Sequence, residues 1–436
     1  MASSSPMLLL YTLLLLSLSS LALTLQHNAN FSLSFSLFSF SLSQSNLSSM
    51  AAAVAAGKFS KKDSPPSDYI YQSRFKYSMA LIVSLPIGTP PQAQQMVLDT
   101  GSQLSWIQCR RRKSPPAATF DPSRSSSFAV LPCNHPACKP RIPDFTLPTT
   151  CDQNKLCHYS YFYADGTLAE GNLVTEKFAF SGGRKVTPPL ILGCAGPAAA
   201  AAEGILGMNL GRLSFVSQAK IPKFSYCVPP RQGGAAGGKF YLGENPNSRT
   251  LKYTSLLTFR GSQRKPNFDP YAYTVGLVAI KVNGAALDIP PAVFRPDAGG
   301  SGQTIIDSGT QYSFLVDGAY EKVRAAVARV AGGRMKKGYV YGGSLDMCFD
   351  GEAEEIGRLI REMVFVFENG VEIVVGAEGV TAGMGGGVHC VGIGRSGSLG
   401  VSSNIIGNFH QRNHWVEFDV ANKRVGLGVA DCTKEI

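Results

Sequence analysis

The chain has 436 residues, of which 44% are hydrophobic and 16% are charged, and its formal net charge is +11. This length provides for two hydrophobic cores, and 46 glycines and 26 prolines beside few charges favour short strands and turns over long helices. A solvated basic surface accounts for the net charge, and weak attraction to acidic polymers is the alternative. Because the one dense basic cluster is residues 110–113, no nucleic-acid partner is predicted.

The N-terminus carries an apolar run over residues 7–25, interrupted mainly by serine and threonine. This run predicts a signal peptide over residues 1–25, with cleavage between Ser20 and Gln26. An uncleaved membrane anchor is the alternative, since the run is nearly long enough to span a bilayer. A signal peptide predicts entry into the secretory pathway, with the ER lumen, the extracellular space or cell wall, or a vacuole as the destination.

Residues 26–77 differ in composition from the rest of the chain. They alternate Phe or Leu with Ser, then carry an Ala run and a Ser-Pro-Pro linker, and they hold the N-x-S sequons at Asn30 and Asn46. This composition predicts a short prosegment with a linker, and simple disorder is a compatible alternative. The remainder is predicted to form an N-terminal lobe over residues 78–262 and a C-terminal lobe over residues 263–436.

Short β segments separated by turns follow from residue 78 onward. Residues 80–83 predict a strand, residues 88–91 predict a turn, and residues 96–98 predict a second strand that runs directly into Asp99. One helix is predicted further along, with Asp317 as its cap. The apolar residues at helical spacing in this helix are Tyr320, Val323, Val327 and Val330.

An internal repeat carries most of the functional information. Residues 97–107 read Val-Leu-Asp-Thr-Gly-Ser-Gln-Leu-Ser-Trp-Ile, and residues 305–315 read Ile-Ile-Asp-Ser-Gly-Thr-Gln-Tyr-Ser-Phe-Leu. Each copy is followed at similar spacing by a second shared element, Gly-Ile-Leu-Gly at 204–207 and Asn-Ile-Ile-Gly at 404–407. A lone Asp-Ser/Thr-Gly is a weak signal, but two elements repeated in the same order predict two related lobes.

The repeated aspartates, Asp99 and Asp307, are the candidate catalytic residues. Each follows an apolar strand and enters a tight turn, in which a glycine lets the backbone approach and a hydroxyl three residues on can bond the carboxylate. Two such turns that face each other would bring the carboxylates to about 3 Å, and like charges that close share one proton. The supporting residues in these turns are Gly101, Ser102, Gly309 and Thr310.

One ionised and one protonated carboxyl group are suited to amide hydrolysis. The ionised group takes a proton from a bridging water, and the protonated group donates to the scissile carbonyl oxygen as it becomes tetrahedral. Neither a metal nor a cofactor is needed, and none is predicted. Activity should fall when both groups ionise, so an acidic optimum is expected, with apparent pKa values that belong to the pair.

These motifs resemble those of the pepsin-like aspartic proteases from about residue 78 to Cys432. The resemblance implies an all-β, bilobal pepsin-like fold with two related β-barrel-like lobes, a central active-site cleft and a few short helices. It also implies a monomeric aspartic endopeptidase that acts on polypeptides, with large apolar residues beside the scissile bond. A catalytically silent, pepsin-like binding or inhibitor protein is the alternative, and the two intact aspartates favour the enzyme.

Further site residues are implied by the same resemblance. Residues 163–167, Tyr-Ala-Asp-Gly-Thr, are similar to the family's β-hairpin flap, and Trp106 matches the tryptophan that bonds the flap tyrosine. The glycines that end the second repeated element look like those of the strands that lock each active-site loop. The residues implied are Tyr163, Asp165 and Gly166 in the flap and Gly207 and Gly407 in the locking strands.

Ten cysteines behind a leader predict disulfide bonds, although spacing alone leaves the pairing open. The Cys-rich insertion between the first aspartate and the flap resembles that of the plant nepenthesin-like branch. That resemblance implies one bridge fewer than nepenthesins have, with one pair nested inside another in the insertion. The implied pairs are Cys133–Cys157, Cys138–Cys151, Cys348–Cys390 and Cys227–Cys432, which leaves Cys109–Cys194.

Two other patterns suggest different chemistry and are weaker. Residues 392–397 match a dinucleotide-binding fingerprint, but no helix pattern follows the glycines and no βαβ unit surrounds them. His410 and His414 have the i, i+4 spacing of a metal site, but they adjoin a β-like segment, so a surface or packing role is favoured. No metal site is therefore predicted.

Overall fold

The structure is a computed structural model that describes residues 69–77, 80–109, 119–139, 149–164, 166–180, 183, 185–196, 203–230, 237–257 and 265–434. The predicted signal peptide, most of the predicted prosegment, the basic cluster at 110–113 and Asp165 lie outside the described residues. No helix in the described ranges is long and apolar enough to cross a membrane.

Strands dominate the N-terminal half, as the turn-rich, charge-poor composition predicts. In chain order they are β1 (Tyr69–Tyr77), β2 (Leu81–Ile87), β3 (Gln92–Asp99), β4 (Trp106–Gln108), β5 (Ala129–Val130), β6 (Thr150–Cys151), β7 (Cys157–Phe162), β8 (Leu168–Glu176), β9 (Ala179–Phe180), β10 (Lys185–Val186), β11 (Leu190–Ala195), β12 (Gly204–Gly207), β13 (Lys223–Cys227), β14 (Gly238–Gly243) and β15 (Lys252–Ser255).

The C-terminal half continues the same architecture. Its strands are β16 (Leu277–Val282), β17 (Ala285–Ala286), β18 (Thr304–Ile306), β19 (Ser313–Leu315), β20 (Cys348–Asp350), β21 (Glu362–Phe367), β22 (Val371–Gly376), β23 (Thr381–Gly385), β24 (Val388–Val391), β25 (Ile393–Arg395), β26 (Asn404–Ile406), β27 (His414–Asp419) and β28 (Arg424–Val429).

Helices in the described residues are few and mostly short. The α-helices are α1 (Phe215–Gln218), α2 (Asp317–Ala331), α3 (Ala353–Leu359) and α4 (Ala377–Val380). Short 3₁₀-helices span Pro122–Arg124, Ser248–Thr250, Pro291–Phe294, Glu368–Gly370, Ser396–Leu399 and Asn408–Gln411.

Helix α2 confirms the helix predicted from apolar spacing. Tyr320, Val323 and Val327 are buried on one face, so burial of that face stabilises the helix against the sheets. Asp317 is not the capping residue, because the chain reaches the N-cap one residue earlier and makes no side-chain capping bond there. The Asp317 carboxylate instead accepts a hydrogen bond from Arg395 Nη1 at 2.9 Å.

The largest sheet in the described part of the chain joins both halves. It has fifteen strands, ordered β15-β28-β27-β13-β14-β1-β2-β3-β12-β4-β11-β8-β7-β6, with β5 paired to β8. Strand β13 pairs with β27 from the far end of the chain, so the terminal strands close onto the N-terminal half. The architecture is therefore all-β, as predicted.

Strand β1 lies inside that sheet rather than at its edge. It pairs antiparallel with β14 on one side and with β2 on the other. Its residues fall within the segment that composition assigns to a prosegment and linker. The backbone ladder of the sheet is continuous from β14 to β2 only because β1 is present.

Two groups of three strands, one within the large sheet and one within a separate four-stranded sheet, repeat one topology around the two aspartates. In the N-terminal half, β12 lies parallel to β3 and antiparallel to β4. In the C-terminal half, β26 lies parallel to β18 and antiparallel to β19. The duplicated sequence therefore folds into a duplicated strand arrangement.

Candidate active site

The structure brings the two repeated aspartates together. Asp99 ends β3 and Asp307 follows β18, and both side chains are fully buried. Both carboxyl groups border one small space, since a Cβ at Gly309 would lie 2.1 Å from Asp99 Oδ1 and 3.3 Å from Asp307 Oδ1. Two adjacent acidic groups, each at the end of a buried strand, form the centre of the candidate site.

The first carboxylate is held by donors from its own turn. The main-chain N–H of Gly101 donates to Asp99 Oδ1 at 2.8 Å, and the Ser102 hydroxyl donates to Asp99 Oδ2. These bonds orient the buried carboxyl group and provide a donor for each of its oxygens. The hydroxyl three residues after the aspartate therefore lies where the sequence predicts it.

The second carboxylate is held in the same way, with one added donor. Gly309 N–H donates to Asp307 Oδ1 at 2.9 Å, and Thr310 Oγ1 donates to Oδ2 at 2.6 Å. Thr100 Oγ1, from the opposite loop, lies 3.5 Å from Asp307 Oδ1. The two halves thus present their carboxylates through equivalent contacts.

Each glycine of the two turns leaves room for the carboxylate of the other half. A Cβ at Gly309 would lie 2.1 Å from Asp99 Oδ1, and a Cβ at Gly101 would lie 2.8 Å from Asp307 Oδ2. Neither approach is compatible with a side chain at these positions. The two glycines are needed because the carboxyl groups meet across the space that their side chains would fill.

The two active-site loops are tied to each other by a reciprocal pair of hydroxyls, which sequence reasoning missed. Thr100 N–H donates to Ser308 Oγ at 3.1 Å, and Ser308 N–H donates to Thr100 Oγ1 at 2.8 Å. Ser308 Oγ also donates to the Leu98 carbonyl at 2.7 Å, beside the first aspartate. A hydroxyl follows the aspartate in both copies of the repeat, and that coincidence was the available signal.

The glycines that end the second repeated element pack against the active-site loops, as the family resemblance implies. Gly207 pairs with Asp99 in the parallel ladder, and a Cβ there would lie 2.5 Å from the Gln103 carbonyl carbon. A Cβ at Gly407 would lie 2.1 Å from the Tyr312 carbonyl oxygen. Only a residue without a side chain permits this approach.

A second pair of hydroxyls binds these glycines. The Gly207 N–H donates to Ser105 Oγ at 3.1 Å, and the Gly407 N–H donates to Ser313 Oγ at 3.1 Å. Both serines stand six residues after their aspartate, and both are buried. The serine that recurs in the two copies of the repeat therefore links each loop to its neighbouring strand.

The electrostatics of the pair follow from burial and contact. Burial raises the pKa of Asp99 well above its usual value, and the adjacent Asp307 carboxyl raises it further. Burial also raises the pKa of Asp307, while the bonds from Thr310 and Gly309 oppose that rise. Two buried carboxyl groups in contact favour one shared proton over two charges.

The predicted flap residues lie on the hairpin formed by β7 and β8. Tyr163 is buried, and its hydroxyl oxygen accepts a hydrogen bond from Trp106 Nε1 at 2.6 Å. Burial and the nearby Tyr161 and Asp99 raise the pKa of the Tyr163 phenol well above its usual value. Gly166 has φ +84°, which suits the tight turn, and Asp165 lies outside the described residues.

The flap reaches the other half of the molecule. Ala164, next to Tyr163, packs against a hydrophobic cluster of the C-terminal half that includes Tyr312 and Met384. The tip of the hairpin therefore contacts both halves of the chain.

All ten cysteines lie in described residues, and all are paired. Three of the implied bridges are confirmed and the nested pair in the insertion is wrong. The disulfides are Cys109–Cys194, Cys133–Cys151, Cys138–Cys157, Cys227–Cys432 and Cys348–Cys390.

Burial explains the corrected pairing. Cys151 and Cys157 stand directly opposite each other across the β6–β7 pair. Cys157 is fully buried and joins Cys138, which packs against the same hydrophobic cluster. Cys151 is exposed and joins Cys133. The buried Cys157 therefore pairs with the cysteine that contacts the hydrophobic cluster, and the exposed Cys151 pairs with Cys133.

In the structure, the residues of the two weaker patterns lie in strand, 3₁₀-helix and buried packing positions. Residues 392–397 lie across β25 and the start of a 3₁₀-helix, with no βαβ unit. His410 and His414 are both buried: His410 Nδ1 lies 2.7 Å from Ser313 Oγ, and His414 Nδ1 lies 2.9 Å from the Arg412 carbonyl. Within the described ranges, no group of three or more His, Cys, Asp or Glu residues is arranged to hold a metal ion.

Comparison with known proteins agrees with this geometry. Residues 81–244 match the family model described as Xylanase inhibitor N-terminal, and residues 272–428 match that described as Xylanase inhibitor C-terminal. The chain is 40% identical to Aspartic proteinase PCS1 of Arabidopsis thaliana, with 85% of each chain covered. It is 32% identical to Aspartic proteinase nepenthesin-1 of Nepenthes gracilis, with 80% of this chain and 78% of the relative covered.

Solved structures share the fold at low sequence identity. The crystal structure of edgp has a TM-score of 0.62 at 19% identity and covers 84% of this chain and 96% of its own. The crystal structure of Basic 7S globulin from soybean has a TM-score of 0.60 at 16% identity, with 84% and 99% covered. Together with the duplicated strand arrangement, these likenesses confirm the predicted bilobal all-β fold.

Proposed function

Because this chain belongs to the plant pepsin-like aspartic protease family and is an aspartic endopeptidase, we propose that Asp99 and Asp307 are its catalytic pair. The observation that carries the proposal is the close approach of two fully buried carboxyl groups, each oriented by donors of its own turn. A pair held this way retains one proton between its two members.

The proposed reaction uses that single proton and one water molecule. The ionised carboxyl group accepts a proton from the water, whose oxygen attacks the carbonyl carbon of the scissile peptide bond. The protonated carboxyl group donates its proton to the carbonyl oxygen, which gives a neutral gem-diol. Breakage of the C–N bond with proton transfer to nitrogen then releases an acid and an amine, and the pair again holds one proton.

An acidic optimum follows from this mechanism. The second ionisation of the pair removes the proton donor, so kcat/KM should fall as pH rises through that ionisation. Burial raises the pKa of both carboxyl groups, so the pair keeps its proton to a higher pH than two solvent-exposed carboxyl groups would. A profile of kcat/KM that stays flat from pH 4 to pH 8 would contradict this step.

Tyr163 and Trp106 support a role for the hairpin as a substrate-covering flap. The bond between the Trp106 indole and the Tyr163 hydroxyl fixes the tyrosine beside the pair, where it can exclude water from a bound peptide. We place the scissile bond beneath this hairpin, with large apolar side chains beside it. Cleavage of a peptide library by the wild type and by Asp99→Asn reports this preference directly.

A catalytically silent binding protein is the second candidate, and one observation bears on it. The matching family models are described as xylanase inhibitor domains. The intact, buried carboxyl pair favours the enzyme. The test is cleavage of a denatured protein at pH 3 to 5 by wild type, Asp99→Asn and Asp307→Asn, each with and without pepstatin. Wild-type cleavage that pepstatin does not inhibit, or that both variants retain, would reject the assignment of the pair.

The extent of the mature enzyme is a further part of the proposal. Strand β1 is paired on both sides within the large sheet, so its removal would separate β14 from β2. We therefore place the start of the mature lobe before Tyr69 rather than at residue 78. Chains that begin at residue 69 should fold and those that begin at residue 78 should not. If both chains have the same melting temperature, residues 69–77 are not needed for the fold and belong to the prosegment.

Five disulfides support the predicted route through the secretory pathway. Disulfides persist in oxidising compartments and are rare in the cytosol. We propose a secreted or vacuolar enzyme whose leader is the apolar run at residues 7–25. Expression of the full chain with a C-terminal tag tests this, and retention of the leader on a cytosolic product would reject it.

A further inference from the structure

Two buried tyrosines, one from each half of the chain, are linked by hydrogen bonds to the backbones of the two aspartates. Tyr226 stands on β13, in the N-terminal half, and Tyr273 precedes β16, in the C-terminal half. Both are fully buried, and their ring centroids lie 6.0 Å and 4.3 Å from that of Phe418. Each hydroxyl bonds to a group that belongs to the opposite half.

The path from Tyr226 leads to the second aspartate. Tyr226 Oη donates to Gln411 Oε1 at 2.6 Å. The amide nitrogen of Gln411 then donates to the main-chain carbonyl of Asp307 at 3.1 Å and to that of Ile406 at 2.7 Å. A buried side-chain amide therefore connects a strand of the N-terminal half to the backbone of the C-terminal aspartate.

The path from Tyr273 leads to the first aspartate by a different route. Tyr273 Oη donates to the Met208 carbonyl at 2.7 Å, and the Met208 N–H donates to the Asp99 carbonyl at 2.8 Å. Here the intermediate link is the main chain of Met208, whose orientation is fixed by the fold, whereas the Gln411 link is a side chain. The two aspartate backbones are thus supported from opposite halves, one through a main-chain link and one through a side-chain link.

We propose that Tyr226 and Gln411 are positioning residues for the hydrolytic reaction, which fix the backbone of Asp307 relative to Asp99. The Tyr226 hydroxyl donates to the amide oxygen of Gln411, so the amide nitrogen faces the carbonyls of Asp307 and Ile406. Without the hydroxyl, the amide loses the contact that orients it and a buried acceptor is left unpaired. The inference rests on the proposed role of the aspartate pair and goes beyond it by naming what aligns the pair.

The electrostatic surroundings agree with this arrangement. Tyr226 lies close enough to Asp307 for the carboxyl group to raise the pKa of the phenol, in addition to the larger effect of burial. The phenol therefore keeps its proton and acts as a permanent donor to Gln411. Strand β13 pairs with β27, which holds Tyr226 in register opposite Val416 on the far strand.

Loss of the link should lower turnover more than substrate binding. Tyr226→Phe and Gln411→Met should each reduce kcat by about tenfold or more while KM changes less than about threefold, because a small misplacement of a reacting group is costly in rate. Tyr273→Phe should have a smaller effect on kcat, because the Met208 main-chain bond to Asp99 remains. Tyr253→Phe, whose hydroxyl bonds Glu417 instead, is the control and should leave kcat unchanged.

Gln411→Glu supplies a pH signature that a merely structural role would not produce. A protonated glutamic acid can accept from Tyr226 and donate once to the Asp307 carbonyl, whereas a glutamate can only accept and adds charge beside Asp307. Relative to Gln411→Met, this variant should therefore recover activity at the acidic end of the profile. It should lose that advantage as pH rises.

The outcomes separate the inference from the function on which it rests. If Asp307→Asn keeps wild-type activity, the assignment of the pair fails. If Asp307→Asn is inactive while Tyr226→Phe and Gln411→Met match the wild type in kcat, only the positioning inference is overturned. It is also overturned if Tyr226→Phe and Tyr273→Phe lose kcat equally and in proportion to melting temperature, or if Gln411→Glu and Gln411→Met share one pH profile.

Discussion

The two loops that carry the aspartates, residues 99–102 and residues 307–310, make the same contacts with the carboxyl groups. They differ in the residues that pack behind those contacts. In both loops a glycine N–H and a hydroxyl bind the carboxylate, and a serine six residues on binds the glycine of the locking strand. Behind that serine the halves diverge. The two copies therefore share the groups that orient the carboxylates and differ in the groups that lie behind them.

The clearest divergence is in the segment that follows each of these glycines. Asn209 N–H donates to the Ser102 carbonyl and Asn408 N–H donates to the equivalent Thr310 carbonyl, so the segment after Gly207 reaches its loop one residue later than the segment after Gly407. Behind the second loop, His410 Nδ1 lies 2.7 Å from Ser313 Oγ, and its Nε2 has no hydrogen-bond partner within the described residues.

The largest expected effect tests whether the two loops are equivalent in chemistry. Asp99→Asn and Asp307→Asn should each lower kcat/KM by about 10³-fold or more, because the pair acts as one unit. Peptide cleavage at pH 4 measures this, with circular dichroism to verify folding. If one of the two variants folds and keeps most of the wild-type activity, the two aspartates do not act as a pair.

The next effect tests the space that the two glycines leave. Gly309→Ala should lower kcat/KM by about 10²-fold, because its Cβ would lie 2.1 Å from Asp99 Oδ1. Gly101→Ala should lower it less, since its Cβ would lie 2.8 Å from the opposite carboxylate. The ratio of the two losses is the readout. A larger loss in Gly101→Ala would contradict the geometry.

The third prediction concerns pH and the buried imidazole behind the second loop. Burial, together with the Arg412 charge, lowers the pKa of His410 to about 3. Its unfolded value is about 6.5, so the unfolded chain binds a proton that the folded chain refuses between these pH values. The stability that neutral His410 provides is therefore complete above pH 6.5 and is lost as pH falls toward 3.

His410→Leu replaces the buried imidazole with an apolar side chain and removes this dependence. Relative to the variant, the wild type should lose about 1.4 kcal/mol of unfolding free energy per pH unit within that window. Urea unfolding of both proteins at pH 7, 5 and 4 measures the difference, and the value at pH 7 isolates the packing change. Parallel stability curves would show that His410 does not titrate in this way.

The smallest expected effect tests the reciprocal hydroxyls that join the loops. Thr100→Val and Ser308→Ala should each lower the free energy of unfolding by about 1–3 kcal/mol, because each leaves a buried N–H of the opposite loop unpaired. The double variant should lose less than the sum of the two. Additive losses would mean that the two hydroxyls do not act together.

Much of the site could be predicted because the repeat presents it twice. The two aspartates, their glycines and the hydroxyls at +3 recur at one offset, and all lie at the site. Thr100 and Ser308 recur as well, but their role depends on contact between the halves, which a single copy does not reveal. Tyr226 and Gln411 have no sequence signal, since they meet only through tertiary structure.

The cysteine insertion and the first strand show the other limit. Spacing could not distinguish Cys138–Cys157 from Cys138–Cys151, because the choice depends on which side chain faces the core. Strand β1 lies at the end of the segment whose composition predicts a prosegment and linker, and its place in the fold comes from the two strands that pair with it. Both outcomes are decided by neighbours distant in sequence.

By itself the sequence determined the fold class, the family resemblance and the identity of the aspartate pair, because a duplicated motif constrains both halves at once. The tertiary structure alone decided how the pair is aligned: which hydroxyls cross between loops, which tyrosine supports which aspartate, and which cysteines join. The physical reason is that local chemistry can be recognised in one segment, whereas burial and hydrogen bonding between segments exist only after the chain has folded.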